Sequence, residues 1–245
     1  MDTLWIAANG ARAILHRQDV VTNNLANVNT TGYRAAQAQF RALPVYAEPL
    51  PSNVYVTTQG NRADFQEGPV HHTGRNLDIA IKGPGWIAVQ AQNGDAAYTR
   101  NGDLQVSSSG ILSTSDGHPV LGQGSAPISL PQLQSVQIGA DGTISGVPVG
   151  SQPNALVVVN RIQLVNPPAT QMQRGADGLF RDTKGTAQQD GSVQLDVGAL
   201  EGSNVNPVQA MIQILDNSRA FEIQTKLMQA VDKNEQAATQ LLNVS

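Results

Sequence analysis

Two periods divide the chain. Over roughly residues 3–27, Leu4, Ala8, Ala11, Leu15, Thr22 and Leu25 recur at spacings of three and four, with Ile6, Ile14, Val20 and Val21 widening the stripe. That spacing predicts a helix with one modestly apolar side. The same period returns at the other end. Asn206 suits an N-cap, Pro207 the first helical position, and Gln209 stands three beyond the cap, a capping-box-like start. Neither Gly nor Pro interrupts the chain from Val208 onward. One thread there runs Val208, Met211, Leu215, Ser218, Phe221, Thr225 and Met228; a second holds Ile212, Ile223, Leu227, Ala230 and Leu241. A helix from 206 to about 243 would be on the order of 55 Å long, and long periodic helices favour coiled-coil packing.

Between these ends the period is two. Leu77, Ile79 and Ile81 alternate with Asp78, Ala80 and Lys82, and WIAVQ (86–90), LQV (104–106), VQI (136–138), RIQLV (161–165) and VQLDV (193–197) read as strands. Hairpin dipeptides punctuate them at Asn93-Gly94, Asn101-Gly102, Asp116-Gly117, Asp141-Gly142, Asp177-Gly178 and Asp190-Gly191. The expected fold class is therefore α+β, a mostly antiparallel β domain flanked by long terminal helices that pair in a coiled-coil-like layer. Residues 41–75, with Pro44, Pro49, Pro51 and Pro69, fit neither period, although VYVTT at 54–58 suits one strand of an extended hairpin. The expected division is a helix over 1–30, an extended connector over 31–75, the β domain over 76–198, and a lead-in with helix over 199–245. Both helices lie outside the β domain. Packing among many chains would cover more of their surfaces than pairing with each other, the alternative being that both lie on the β domain of their own chain.

Composition narrows the chemistry. Charged residues make up 14% of the chain and the net charge is −4, which argues against a nucleic-acid partner. There is no cysteine, so disulfides, thiol nucleophiles and thiolate metal sites are excluded. No apolar run is long enough to predict a membrane-inserted helix. The N-terminus, with Asp2, Arg12, His16 and Arg17, does not read as a cleaved signal. His71 and His72 are adjacent, so in a strand they face opposite ways and chelate poorly. Ser115-Asp116-Gly117-His118 holds triad residue types, but a triad is a geometry, and Asp116-Gly117 reads as a turn. Gly83-Pro84-Gly85 and Gly122-Gln123-Gly124 match no phosphate-binding fingerprint. Trp5, Trp86 and Phe180 read as packing residues. No catalytic, cofactor or metal site is expected, and no enzyme.

NNLANVNTTGYR, residues 23–34, is harder to explain locally. One asparagine and Gly32 would suffice to end a helix. Taken with LEGSNVNPVQAM at 200–211 and RAFEIQTKLMQAVD at 219–232, it resembles the bacterial flagellar rod and hook proteins. NLDIAIKGPGWIAVQ at 76–90 and YTRNGDLQV at 98–106 extend the resemblance into the middle. GHPVLGQGSAPISLP at 117–131, IGADGTISG at 138–146, and RGADGLFRDT at 174–183 are similar to the proximal rod members, as is the short segment after Arg41.

The resemblance implies a structural subunit of the proximal rod, exported unfolded by the flagellar type III apparatus without a cleaved signal, polymerising in the periplasm and transmitting torque. It implies terminal helices in an inner tube and partners among its own copies and the other proximal and distal rod proteins. Assembly contacts are then expected at Asn23, Asn24, Leu25, Asn27, Thr31, Gly32 and Tyr33. On the other side of the β domain they are expected at Leu200, Ser203, Asn204, Val205, Pro207, Met211, Arg219, Phe221, Glu222 and Lys226, with Arg219, Glu222 and Lys226 spaced to pair along one helix face. Changing Asn24, Leu25 or Gly32 is expected to impair assembly more than folding of the β domain. The alternatives are a distal rod paralogue and a secreted β-domain binding module.

Overall fold

A computed structural model of the protein describes residues 2–45, 53–152 and 155–242, with side-chain surroundings over 5–41, 60–152 and 155–234. In chain order, helix α1 (Asp2–Ala26) is followed by strands β1 (Ala36–Val45), β2 (Asn53–Ala63), β3 (Val70–His72), β4 (Ile79–Lys82), β5 (Trp86–Gln90), β6 (Ala96–Thr99), β7 (Leu104–Val106) and β8 (Leu112–Thr114). Then come β9 (Leu133–Ile138), β10 (Thr143–Pro148), β11 (Val157–Arg161), β12 (Leu164–Val165), β13 (Met172–Arg174), β14 (Phe180–Asp182), β15 (Gln194–Val197), β16 (Ala199–Glu201) and helix α2 (Pro207–Leu242). The α+β expectation holds: long terminal helices pack together and flank antiparallel sheets. Pro49 and Pro51 lie outside the described residues, as do the side chains of Leu4 and Leu241.

The chain forms two compact units. One comprises Met1–Asn27, Ala36–Asp64 and Val205–Ser245; the other comprises Val28–Ala35 and Phe65–Asn204. In the first, β1 and β2 form an antiparallel hairpin, with an irregularity where Gln39 faces Gly60 and Phe40 faces Thr58. Both strands lie within the stretch read as connector. Phe40 anchors it to α1: the His16 ring meets Phe40 edge-on at 6.1 Å, the Arg17 guanidinium lies 5.3 Å from the Phe40 ring centre, and His16 Nε2 is 3.1 Å from Asn61 Oδ1.

The second unit is built of short strands. A five-stranded sheet runs β12-β5-β6-β14-β13, a three-stranded sheet runs β11-β10-β9, and three two-stranded ladders pair β15 with β4, β16 with β3, and β7 with β8. Ile79, Ile87, Val89, Leu104, Leu112, Val120, Ile128, Ile144, Ile162 and Leu195 fill one core, each nearly or fully excluded from solvent. Burying a side chain of this size contributes roughly 1.5–3 kcal/mol. Trp86 and Phe180 stack at 4.6 Å beside Phe65, so both are packing residues as expected.

RIQLV is not one strand. Arg161 closes β11, Ile162 bridges to Gly122, and Leu164 opens β12 in a different sheet. Asn101-Gly102 is not a hairpin turn either. A side chain on Gly102 would place its first carbon 1.7 Å from the Ile79 carbonyl oxygen, so the glycine permits close backbone approach. Asn101 instead donates through Nδ2 to Asp116 Oδ2 at 2.7 Å, bracing the turn at Asp116-Gly117.

Candidate assembly site

The two helices run antiparallel, since Ala7 and Gly10 lie against Gln224 while Arg17, Val20 and Val21 share a groove with Gln213, Asp216 and Asn217. On α1 one packed row runs Ala7, Ala11, Ile14, Gln18, Val21 and Leu25, alternating four and three residues apart, with buried Val20 beside it. On α2 the row is Ala210, Ile214, Asn217, Phe221, Gln224, Met228 and Val231, at the same alternation. This is the seam spacing of a coiled coil. Gln224 Nε2 donates to the Ala7 carbonyl oxygen at 3.0 Å, and a side chain on Gly10 would begin 2.7 Å from that nitrogen. Small residues thus let the helices close on each other. Gln18 Oε1 and Asn217 Nδ2 are buried in this unit without a hydrogen-bond partner among the described residues.

The packed face of α2 differs from the expected threads. Phe221 and Met228 enter the seam, but Val208, Met211 and Leu215 face solvent, as do Ile212, Ile223 and Leu227, with exposures of 46–67%. Apolar periodicity treats Asn217 and Gln224 as outward-facing, so it rotates the helix away from its true seam. On α1, Leu15 and Thr22 likewise face outward, and Trp5 is 57% exposed instead of packed. A long aliphatic surface therefore lies open on the helix pair.

The residues quoted from NNLANVNTTGYR and LEGSNVNPV divide between the units. In the first unit, Asn24 grips Ala36 with both ends of its amide: Oδ1 accepts from Ala36 N and Nδ2 donates to Ala36 O, each at 2.8 Å. Asn27 Nδ2 donates to the Asn23 carbonyl oxygen at 2.8 Å, and Leu25 is half-buried. Asn206 caps α2 by accepting from Gln209 N at 3.1 Å, followed by exposed Pro207. Arg219, Glu222 and Lys226 are exposed, and no ion pair joins them among the described residues. The pairing allowed by their spacing does not form.

In the second unit, Gly32, Tyr33 and Arg34 meet Leu200–Asn204 and Arg100. Gly32 has φ +68°, donates to the Glu201 carbonyl oxygen at 2.7 Å, and would place a side-chain carbon 2.3 Å from the Arg100 backbone. Any side chain there would meet the β unit's own backbone, so Gly32 carries a folding constraint in addition to the assembly role expected of it. Asn204 Oδ1 accepts from Ala35 N at 2.7 Å and its Nδ2 donates to Gln66 O at 2.9 Å. Tyr33 is buried, with the Arg174 guanidinium 4.4 Å from its ring centre. Ser203 is buried, Thr31 is half-buried, and Leu200 pairs with His71 in β3; Val205, half-buried, belongs to the first unit.

At the centre is a charge network that sequence reasoning missed. Glu201 is buried and its two oxygens reach two buried arginines: Arg34 Nη2 at 2.8 Å from Oε1, and Arg100 Nε at 2.8 Å from Oε2. Gly68 N adds a bond to Oε1 at 3.0 Å. Arg34 also donates to the Gln66 carbonyl, and Arg100 Nη1 donates to the carbonyls of Gly83 and Gly85 at 2.9 and 2.8 Å. Burial pushes the Arg100 guanidinium below its ordinary value, and Glu201 opposes that shift. Arg34, Arg100 and Glu201 each lie inside a quoted stretch. The signal was present, but a lone Arg or Glu reads as surface without its partner.

The geometry offers little for small-molecule chemistry. The cleft beside Arg34, Arg100, Trp86 and Phe65 measures about 190 Å³, below the roughly 300–1,000 Å³ of ordinary ligand sites; the groove beside Arg17, Phe40, Gln213, Asp216 and Asn217 is larger, about 410 Å³, but its lining holds a single carboxylate, Asp216, and no histidine or hydroxyl. Among the described residues no three His, Asp or Glu side chains gather as a metal site, and no helix is long and apolar enough to cross a membrane.

Family comparisons fall on the same segments. Residues 4–34 match the flagella basal body rod protein model, 80–146 the flagellar hook protein FlgE/F/G D1 domain, and 197–241 the flagellar basal body rod FlgEFG protein C-terminal model. The flagellar basal-body rod protein FlgF of Salmonella typhimurium is 41% identical over 99% of this chain and 98% of its own. FlgF of Escherichia coli shares the same 41% and coverage, and FlgF of Caulobacter vibrioides is 34% identical over 98% of both chains. The chain belongs to the flagellar basal-body rod family. It is a non-enzymatic structural subunit of that rod, located in the flagellar basal body and assembling with other rod subunits. Both helical segments and the core of the β unit carry the family's matches.

Proposed function

We propose that the chain is a proximal-rod subunit whose paired terminal helices pack, through their open aliphatic faces, against the helices of neighbouring rod subunits. The observation that carries this is the exposure of Val208, Met211, Ile212, Leu215, Ile223 and Leu227 along one α2 helix, with Trp5, Ile6 and Leu15 exposed on α1. So many exposed aliphatic side chains on one side of a helix, interspersed with Arg219, Glu222 and Lys226, mark an interaction surface. Removing six such side chains from water supplies several kcal/mol per subunit, repeated at every step of a polymer. The neighbours are copies of this chain and other proximal and distal rod proteins. Torque passes through the interlocked helices, so stiffness is the function.

Export proceeds through the flagellar type III apparatus without a cleaved signal, and the rod forms in the periplasm. The absence of cysteine frees the chain from disulfide formation on arrival in an oxidising compartment. Asn23, Asn27, Thr31 and Val205 border the helices and act as secondary contacts, while Arg219, Glu222 and Lys226 set polar register on the exposed face.

Single-cysteine labelling tests the placement. A Lys184→Cys chain, gold-labelled in purified basal bodies, is expected to mark the inner-membrane end of the rod. A label at the hook-facing end would identify a distal rod subunit, and no label on basal bodies that contain a complete rod would refute the reading.

A further inference from the structure

We infer that the β9-β10-β11 sheet docks a second copy of this chain, the β11 edge of one copy meeting the β9 edge of the next. The inference rests on the rod reading above and adds a contact outside the helices.

β10 is the central strand, so β9 and β11 are both open edges among the described residues. Folded proteins normally guard such edges with charged side chains or proline, because unpaired backbone groups recruit other strands. This sheet is lightly guarded: Arg161 at the end of β11 is turned onto Asp141, Pro148 lies in the central strand, and one irregularity passes over Val159 in β11. Between His118 and Arg161 the only charged residue is Asp141, and it is engaged at 2.8 Å through its carbonyl by Arg161 Nε and at 2.7 Å through its carboxylate by Thr143. The β11 edge is instead aliphatic: Val158 is 66% exposed, Leu156 55% and Val157 49%, with Val149 at 64% after β10. The β9 edge offers exposed, uncharged Gln134, Ser135 and Gln137. Two copies therefore bring no like charges together at this contact.

The register also fits. Ser145 of β10 faces Gln137 on one side and Val158 on the other, so the three form one row across the sheet. Continuing that row places Gln137 of the next copy beside Val158. β9 and β11 both run antiparallel to β10, so the new pair would be parallel. A contact between two different edges of the same chain is heterologous and does not close on itself, which suits an open polymer. One strand pair covers much less than the ~1,200–2,000 Å² of a self-sufficient interface. The contact thus forms within the polymer, where the helices already hold the copies together.

Cysteine cross-linking in the rod tests this, since the natural chain has no cysteine. A Gln137→Cys/Val158→Cys chain, produced in cells lacking the natural one, is expected to give a ladder of linked copies when purified basal bodies are oxidised. Either cysteine alone, or Lys184→Cys, is expected to give none. A chain present in basal bodies but unlinked would overturn the inference, as would dimers from Val158→Cys alone, which mean two-fold pairing. If the double variant does not assemble, Val158→Lys and Val158→Thr decide. With unfolding midpoints unchanged, Lys is expected to lower incorporation severalfold and Thr to preserve it; equal incorporation would overturn the inference. Absence of the natural chain itself from basal bodies would instead refute the rod reading.

Discussion

Glu201 stands between Arg34 and Arg100, with one carboxylate oxygen 2.8 Å from each guanidinium. Three stretches far apart in sequence are joined by one buried anion. Two cations share it, so the loss of the anion leaves both uncompensated.

Glu201→Gln keeps the shape and removes the charge. Breaking a buried pair in this way costs about 3–5 kcal/mol. Urea denaturation of the full chain is expected to show that loss in the β unit's transition. A loss under about 1 kcal/mol, the ordinary worth of an exposed pair, would mean that the network contributes no more than a surface bridge.

Gly32→Ala is expected to lower the same transition by more than the ~1 kcal/mol typical of mutations. The alanine meets both an unfavourable positive φ and the Arg100 backbone. Gly94→Ala has a similar φ of +88° but open space around it, so it isolates the strain from the clash. Equal losses in the two variants would show that the clash adds nothing.

Asn217→Leu replaces a buried amide whose nitrogen lacks a partner by an aliphatic group suited to the seam. Leaving such a group unsatisfied costs roughly 1–3 kcal/mol. The variant is expected to raise the melting temperature of the helix pair, followed by circular dichroism, while Asn217→Asp lowers it. A fall with Leu would show that the amide is needed in the seam.

Acid weakens the β unit through specific turns. Asp177 is held below the usual carboxyl range, first by hydrogen bonds from Arg181 at 2.9 and 2.6 Å, and Asp141 first by its bond from Thr143. A folded pKa below the unfolded value of about 3.9 gives stability that is present above that value and lost as pH falls through the folded one. Unfolding free energy is expected to drop as pH falls below about 4. Asp177→Asn is expected to make that drop shallower. An unchanged slope would remove Asp177 from the account.

The terminal helices and strands β4, β5, β7, β9 and β15 were legible from their periods, whereas β3, β13 and β16 have three residues each and show no alternation. The cap at Asn206 was legible because its side chain acts on its own neighbours. The seam of α2 was not, since Asn217 and Gln224 are polar residues that occupy packed positions. Arg34, Arg100 and Glu201 escaped notice because a buried ion pair is a tertiary fact, invisible to any window of sequence. Gly102 shows the same limit, since its constraint comes from the Ile79 carbonyl in a different strand.

The central claim is that the open aliphatic face of α2 builds the rod. Leu215→Lys/Ile223→Lys alters two residues that are 59% and 67% exposed, so the folded chain should tolerate them. The direct measurement is the amount of this double variant in purified basal bodies, relative to the amount exported. The expected result is normal export with little or no incorporation and lost motility. Incorporation and motility equal to those of the natural chain would contradict the account.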